Sequence, residues 1–182
     1  GVEIGDSVVA EAYHFFKQYL ERARMKHTFH KERVSGPHKS FTATRYSFRY
    51  AADKEAFKGD SALTLELVAG DSAHADTYFR RESFHVLVGD LPYGVQHGNV
   101  TGQKQNALTR NPKELVSRCL PGWRAVLKTG GALVLSWNCQ VLPRQALAQI
   151  MREAGFTVLE DEAYSHFSHR VDQSIQRDVI VA

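Results

Sequence analysis

The sequence predicts an α/β fold: a mostly parallel sheet with helices on both faces. Two observations carry this expectation. Short apolar runs alternate with amphipathic stretches along most of the chain, which is the pattern of strands joined by crossover helices. Glu3, Asp71, Asp90 and Asn138 each follow one of four successive apolar runs. In a parallel sheet such positions gather at the carboxyl ends of the strands, where ligands bind. A length of 182 residues, 43% of them hydrophobic and 24% charged, suits one soluble globular domain with a real core.

Each element follows in order. Gly1 to Ile4 reads as the tail of a strand. Asp6 is placed to cap a helix running to about Met25, because Val8, Val9, Ala12, Phe15, Phe16, Tyr19 and Leu20 recur at helical spacing. A basic insertion covers about 26–60. Within it Thr42, Thr44, Tyr46, Phe48 and Tyr50 alternate with Ala43, Arg45, Ser47 and Arg49, so an added strand or hairpin is expected there. Ala62 to Val68 reads as a strand, Ala73 to Arg81 as a short helix, and Phe84 to Val88 as the strand ending at Gly89-Asp90. A polar loop follows from Leu91 to Asn111. Pro112 suits the first turn of a helix reaching Leu127, which Gly130-Gly131 breaks. Ala132 to Trp137 is a buried strand, Pro143 to Ala154 a helix stopped by Gly155, and Phe156 to Leu159 and Val179 to Ala182 are the closing strands.

Composition removes several classes of function. No apolar run approaches the roughly 20 residues that cross a bilayer, and the first apolar positions are interrupted by Glu3 and Asp6, so neither a membrane partner nor a leader is expected. Cys119 and Cys139 form no Cys-x-x-Cys pair. A disulfide framework and a thiolate zinc site are therefore not expected, and a reducing, cytoplasmic setting fits. The net charge is +3, but nine Lys or Arg stand against three acids between Arg24 and Lys58. Such a stretch either attracts polyanions through counterion release or forms a solvated surface arm.

The chemistry concentrates in Asp90-Leu91-Pro92-Tyr93-Gly94, directly after the apolar run Phe84 to Val88. This segment resembles the Asp/Asn-Pro-Pro-Tyr/Phe motif of amino-methyltransferases. It is most similar to the motif of the THUMP-associated tRNA (guanine-N2) methyltransferases, and the resemblance runs from the opening Gly-Val-Glu to the closing His-Arg-Val-Asp-Gln. It implies a Rossmann-like class I fold using S-adenosyl-L-methionine, with RNA, tRNA above all, as partner.

An aromatic amino group is a poor nucleophile, because its lone pair is delocalised into the ring. Two acceptors on its two hydrogens favour a pyramidal nitrogen whose lone pair points at the methyl group. The resemblance assigns these roles to the Asp90 carboxylate and the backbone carbonyl of Leu91, acting on charge that develops in the transition state. Tyr93 would stack on a base that has left its helix or loop. Leu91 replaces the commoner proline, but any residue supplies a carbonyl, and Pro92 still holds Leu91 extended. The plain alternative is a proline-containing turn with Asp90 as a turn or cap residue.

The resemblance further implies that Glu3 binds ribose hydroxyls of the cofactor, and that Asp71, with Ser72 beside it, lies near the adenine amino group. It implies that Asp90 borders the cofactor as well. Singly, an acid after a strand is more often a helix cap. Asn138, after Trp137, either lines the substrate pocket or caps the next helix. Gly94, Lys104 and Arg110, with Gln96 and His97, belong to a loop suited to contact RNA or cover the site. His166 and His169 lack an evident third ligand, so no metal is expected.

Methyltransferases of this class hold the methionine part of the cofactor on a glycine-rich loop about 20 residues before the ribose-binding acid, by analogy with dinucleotide sheets. Glu3 is the third residue and no Gly-x-Gly occurs in the sequence. The expectation is a partial catalytic domain without its first strand and glycine loop, binding cofactor weakly by itself. Three activities stay open: methylation of guanine N2 in tRNA, methylation of adenine N6 or cytosine N4 in DNA, or a non-catalytic RNA-binding module.

Overall fold

Residues 1–93 and 112–182 are described by a computed structural model, and they show a mixed α/β architecture. They fall into two units, Gly1–Tyr78 and Phe79–Ala182, each built on its own four-stranded sheet. No helix among the described residues is long and apolar enough to cross a membrane.

The first unit begins with the short strand β1 (Val2–Glu3) and helix α1 (Asp6–Arg22). Gly5, not Asp6, is the N-cap, and Asp6 lies in the first turn, where its charge complements the helix dipole. Strands β2 (Lys26–Ser35) and β3 (Thr42–Ala51) form an antiparallel hairpin with continuous register from Lys26 opposite Ala51 to Ser35 opposite Thr42. Helix α2 (Lys54–Lys58) is capped by Asp53, whose carboxylate accepts from the Glu55 and Ala56 N–H groups. Strand β4 (Leu63–Ala69) then pairs antiparallel with β3 and parallel with β1. Helix α3 (Ala75–Tyr78) closes the unit.

Alternation puts Phe29, Tyr46, Phe48 and Tyr50 on one face of this sheet. There α1 lays Tyr13 on Tyr46 at 4.9 Å and on Phe29 at 4.9 Å. Phe16 meets Phe48 and Tyr50 edge-on, both at 5.2 Å. The basic stretch is therefore the sheet itself, and much of its charge is already engaged. Arg45 bonds Glu32 at 3.0 Å and the Tyr78 carbonyl, Arg49 lies over the Phe57 ring at 4.3 Å and Lys31 over Tyr46 at 5.1 Å.

The second unit starts at β5 (Phe84–Asp90), parallel to β6 (Leu127–Asn138). Helix α4 (Pro112–Val126) leads straight into β6, and α5 (Arg144–Glu153) follows it. Strands β7 (His169–Arg170) and β8 (Gln176–Val181) complete the order β5-β6-β8-β7, with β8 antiparallel to both neighbours. Leu133, Leu135, Trp137 and Ile180 pack with Val116, Leu120, Leu147 and Met151 of α4 and α5 in one core. Val86 and Val88, of the opposite alternation, are exposed.

Besides the Asp6 cap, the structure corrects three expectations. Among the described residues, parallel pairing is confined to β1–β4 and β5–β6, and the other four pairings are antiparallel. A hairpin needs only a short return, whereas each parallel pair needs a crossover. Gly130-Gly131 does not break a helix: α4 ends at Val126, and both glycines lie inside β6, where the register with β5 shifts between Phe84 and Val86. Phe156 to Leu159 forms no strand; Leu159 makes a single ladder-like bond to the Val181 carbonyl.

Candidate functional site

Asp90 is the last residue of β5, opposite Ser136. The Leu91 N–H donates to the Ser136 carbonyl at 2.8 Å, extending the ladder by one rung, and the Leu91 side chain is 6% exposed in the core. A proline at this position would supply the carbonyl but not that N–H. The leucine thus anchors the motif through both its backbone and its side chain.

Tyr93 turns back over the strand end. Its hydroxyl donates to Asp90 Oδ1 at 2.7 Å, and its carbonyl accepts from Asn138 Nδ2 at 3.2 Å. Asn138 is 2% exposed and fully committed to backbone partners. Its amide also donates to the Ser174 carbonyl at 2.9 Å, while its Oδ1 accepts from the Gln140 and Gln176 N–H groups at 3.2 and 3.1 Å. A buried amide with all its partners supplied fixes geometry. Asn138 therefore shapes the site by holding Tyr93 against the turn before β8.

That turn is set by Asp172, which accepts from the Ser174 N–H at 2.7 Å and its hydroxyl at 3.0 Å. These bonds hold the Asp172 carboxyl below its ordinary value. On β8, Arg177 stands opposite Asn138, and its guanidinium lies over the Tyr93 ring, 5.2 Å from the centroid. Its neighbour Asp178 faces the other way and is 4% exposed. Arg144 of α5 bonds it at 2.9 Å and also reaches the Val179 and Tyr164 carbonyls, each at 2.9 Å. A buried carboxylate so paired is satisfied, and it locks α5 to β8.

In the first unit, Glu3 ends β1 and Asp71 follows β4, its parallel neighbour, so both acids lie at carboxyl ends of adjacent strands. The exposed Glu3 carboxylate accepts the Gly5 N–H at 2.9 Å, and its carbonyl accepts the Gly70 N–H at 2.9 Å. Asp71 caps the short turn Ser72–His74 through the Ala73 N–H at 2.9 Å. Ser72 opens that turn and is half-buried. Gly70 lies so close to Tyr78 and Ala43 that a Cβ there would stand 2.6 Å from the Tyr78 hydroxyl and 2.8 Å from the Ala43 Cβ. Burial, with the Asp71 carboxylate nearby, pushes the Tyr78 hydroxyl up to about 12. Phe41 and His74 stack beside this end at 3.8 Å, 11° from parallel.

The structure thus brings Asp90, Leu91, Tyr93 and Asn138 together, with exposed Pro92 between them, and it places Glu3, Asp71 and Ser72 on two neighbouring strand ends. Gly94, Lys104 and Arg110, with Gln96 and His97, lie outside the described residues. His169 Nδ1 is paired with the Phe167 carbonyl at 3.0 Å. Among the described residues no three His, Cys, Asp or Glu side chains gather as a metal site. Sequence reasoning missed Arg144, Asp172, Arg177 and Asp178. The signal for two of them was a pair of adjacent opposite charges directly before the apolar run Val179 to Val181, which alternation sends to opposite faces.

Among known proteins, no family model and no curated protein matches this chain. Among solved structures it is similar to TTHA0409 of Thermus thermophilus, described as a "Putative DNA Modification Methylase". One structure of that protein is complexed with S-adenosyl-L-methionine; it is 19% identical, with a TM-score of 0.38, over 62% of this chain and 52% of that one. The other, without that description of a ligand, is 18% identical, with a TM-score of 0.38, over 62% and 50%. This chain spans about half the length of those structures.

Proposed function

We propose that the second unit carries the acceptor side of a methyl-transfer site acting on an exocyclic amino group of a nucleic-acid base, guanine N2 in tRNA being the preferred target. The observation that supports this is the strand-end triad itself. Asp90 presents a carboxylate beside an aromatic ring whose position is held at its hydroxyl by Asp90 and at its carbonyl by Asn138. A carboxylate has two oxygens and about four acceptor positions. The bond from Tyr93 therefore leaves Asp90 able to accept an amino hydrogen.

The donor of the methyl group in this reading is S-adenosyl-L-methionine, which supplies an electrophilic methyl on a sulfonium. Residues of the first unit fit its nucleoside portion. Glu3 offers an exposed carboxylate to a pair of hydroxyls, and Asp71 and Ser72 offer polar groups to an adenine edge. In the second unit, Asp90 and the Leu91 carbonyl accept the two amino hydrogens and turn the nitrogen lone pair out of conjugation. Tyr93 supports the base by stacking. The proton lost from the amino group leaves toward the Asp90 carboxylate.

Isotope-labelled S-adenosyl-L-methionine offered with tRNA and with duplex DNA tests the reading. Label in tRNA, recovered as N2-methylguanosine, is expected. Asp90→Ala should lower transfer by about 10²–10³-fold, the usual effect of removing one preorganised transition-state partner, while calorimetry finds cofactor affinity nearly unchanged. Label confined to adenine or cytosine of DNA would move the substrate. An Asp90→Ala protein of undiminished activity would remove the assignment.

A further inference from the structure

We propose that Arg177 is a substrate-binding residue of the Asp90 site, and that its guanidinium takes a backbone phosphate beside the base stacked on Tyr93. This rests on the proposed function for its substrate class, and deepens it from a base to a nucleotide within a strand.

Arg177 is placed by the β8 register, opposite Asn138, and its guanidinium lies over Tyr93. The ring beneath it is held at both ends, by Asp90 and by Asn138. A guanidinium carries five N–H donors. Arg177 Nε is buried and has no hydrogen-bond partner, and among the described residues no carboxylate pairs with the group. Each acid around it is engaged elsewhere: Asp178 with Arg144, Asp172 with Ser174, and Asp90 with the Tyr93 hydroxyl. A buried donor left without an acceptor costs free energy.

Geometry selects the ligand group. Arg177 covers one face of the Tyr93 ring, so a base stacks on the other. The guanidinium and the base then lie on opposite sides of the ring, two layers apart. In-plane bonding from Arg177 to the edge of that base is out of reach at such a separation. The sugar-phosphate backbone runs across the layers, and a phosphate offers the planar fork two acceptors at once. Placing a cation there also offsets the repulsion between phosphate and the Asp90 carboxylate.

The test is binding of a labelled single-stranded RNA by the chain across a salt series. One phosphate contact on single-stranded nucleic acid contributes about 0.7 to the slope of log affinity against log salt. Arg177→Gln should weaken binding and lower the slope by about that amount, while Arg177→Lys, which keeps the charge, should keep most of the slope. A residue that merely braces Tyr93 would not give this split. An unchanged slope in Arg177→Gln overturns the proposal, and so does an Arg177→Lys protein that behaves like the glutamine variant. If Arg177→Gln fails to melt cooperatively, wild-type chain is titrated with the same RNA carrying single methylphosphonates. One neutralised position must then reproduce the slope change, and none doing so overturns the proposal. Because the readout is binding, a chain that shows the Arg177-dependent slope but transfers no methyl group loses the proposed activity and keeps this contact.

Discussion

Leu91 shows how one residue can serve two levels of organisation. Its N–H bonds Ser136, its side chain is in the core, and its position after Asp90 makes its carbonyl the second acceptor of the proposed site. A departure from proline that reads in sequence as tolerable is thus, in the fold, an extra rung of the ladder. Tyr78 is the residue whose chemistry is most displaced. Its hydroxyl is raised to about 12 by burial and by Asp71, so the folded state holds that proton more tightly than the unfolded chain. The sign follows: the contribution to stability is complete below the ordinary value near 10 and is lost as pH rises toward 12. Titration of tyrosinate absorbance should therefore show one of the seven tyrosines ionising last, and Tyr78→Phe should remove that step. A titration in which Tyr78→Phe leaves the late step in place would contradict the assignment.

At the scale of the element, β6 carries most of the lessons. Its apolar half was legible because Leu133, Leu135 and Trp137 alternate with smaller or less buried residues, as a strand requires. Its first half was not legible, because two successive glycines ordinarily end an element. Here Gly130 has φ of +75°, and a Cβ on Gly131 would stand 2.8 Å from the His85 carbonyl oxygen and 2.9 Å from that of Lys128. The pair makes an irregularity inside the strand, a use of glycine that depends on the neighbouring strand. Gly131→Ala should accordingly cost about 1–3 kcal/mol, as overpacking against fixed backbone does, read as a lower denaturation midpoint at unchanged slope. A variant as stable as the wild type would show that β5 yields there. The β2–β3 hairpin was half legible. Thr42 to Tyr50 alternates openly, whereas Lys26 to Ser35 is so rich in charge that its strand character emerges only through pairing with β3.

For the molecule as a whole, the described residues form two units, each with one aromatic or aliphatic core. In the second unit the uncovered face is apolar: Val86 is 53% and Val88 80% exposed, on a strand that among the described residues pairs only with β6. Exposed apolar side chains on an edge strand promote association. Val88→Lys should lower the concentration-dependent scattering of the chain while leaving its melting temperature within a few degrees, since an exposed site contributes about ±0.5 kcal/mol. Equal scattering by both proteins would place the association elsewhere.

The sequence by itself determined the α/β class, the positions of most strands and helices, and the acids at the strand ends. Those follow from the period of apolar residues and from local turn chemistry, which a chain carries in its own order. Tertiary structure decided which strands pair, that Asn138 is spent on holding Tyr93, and that Arg177 stands over the ring while Asp178 is turned into the core. The Asn138 outcome, for one, depends on Ser174 and Tyr93, 36 and 45 residues distant. No local pattern records which distant backbone group will complete a buried amide, because that is settled only when the register of the sheet is set.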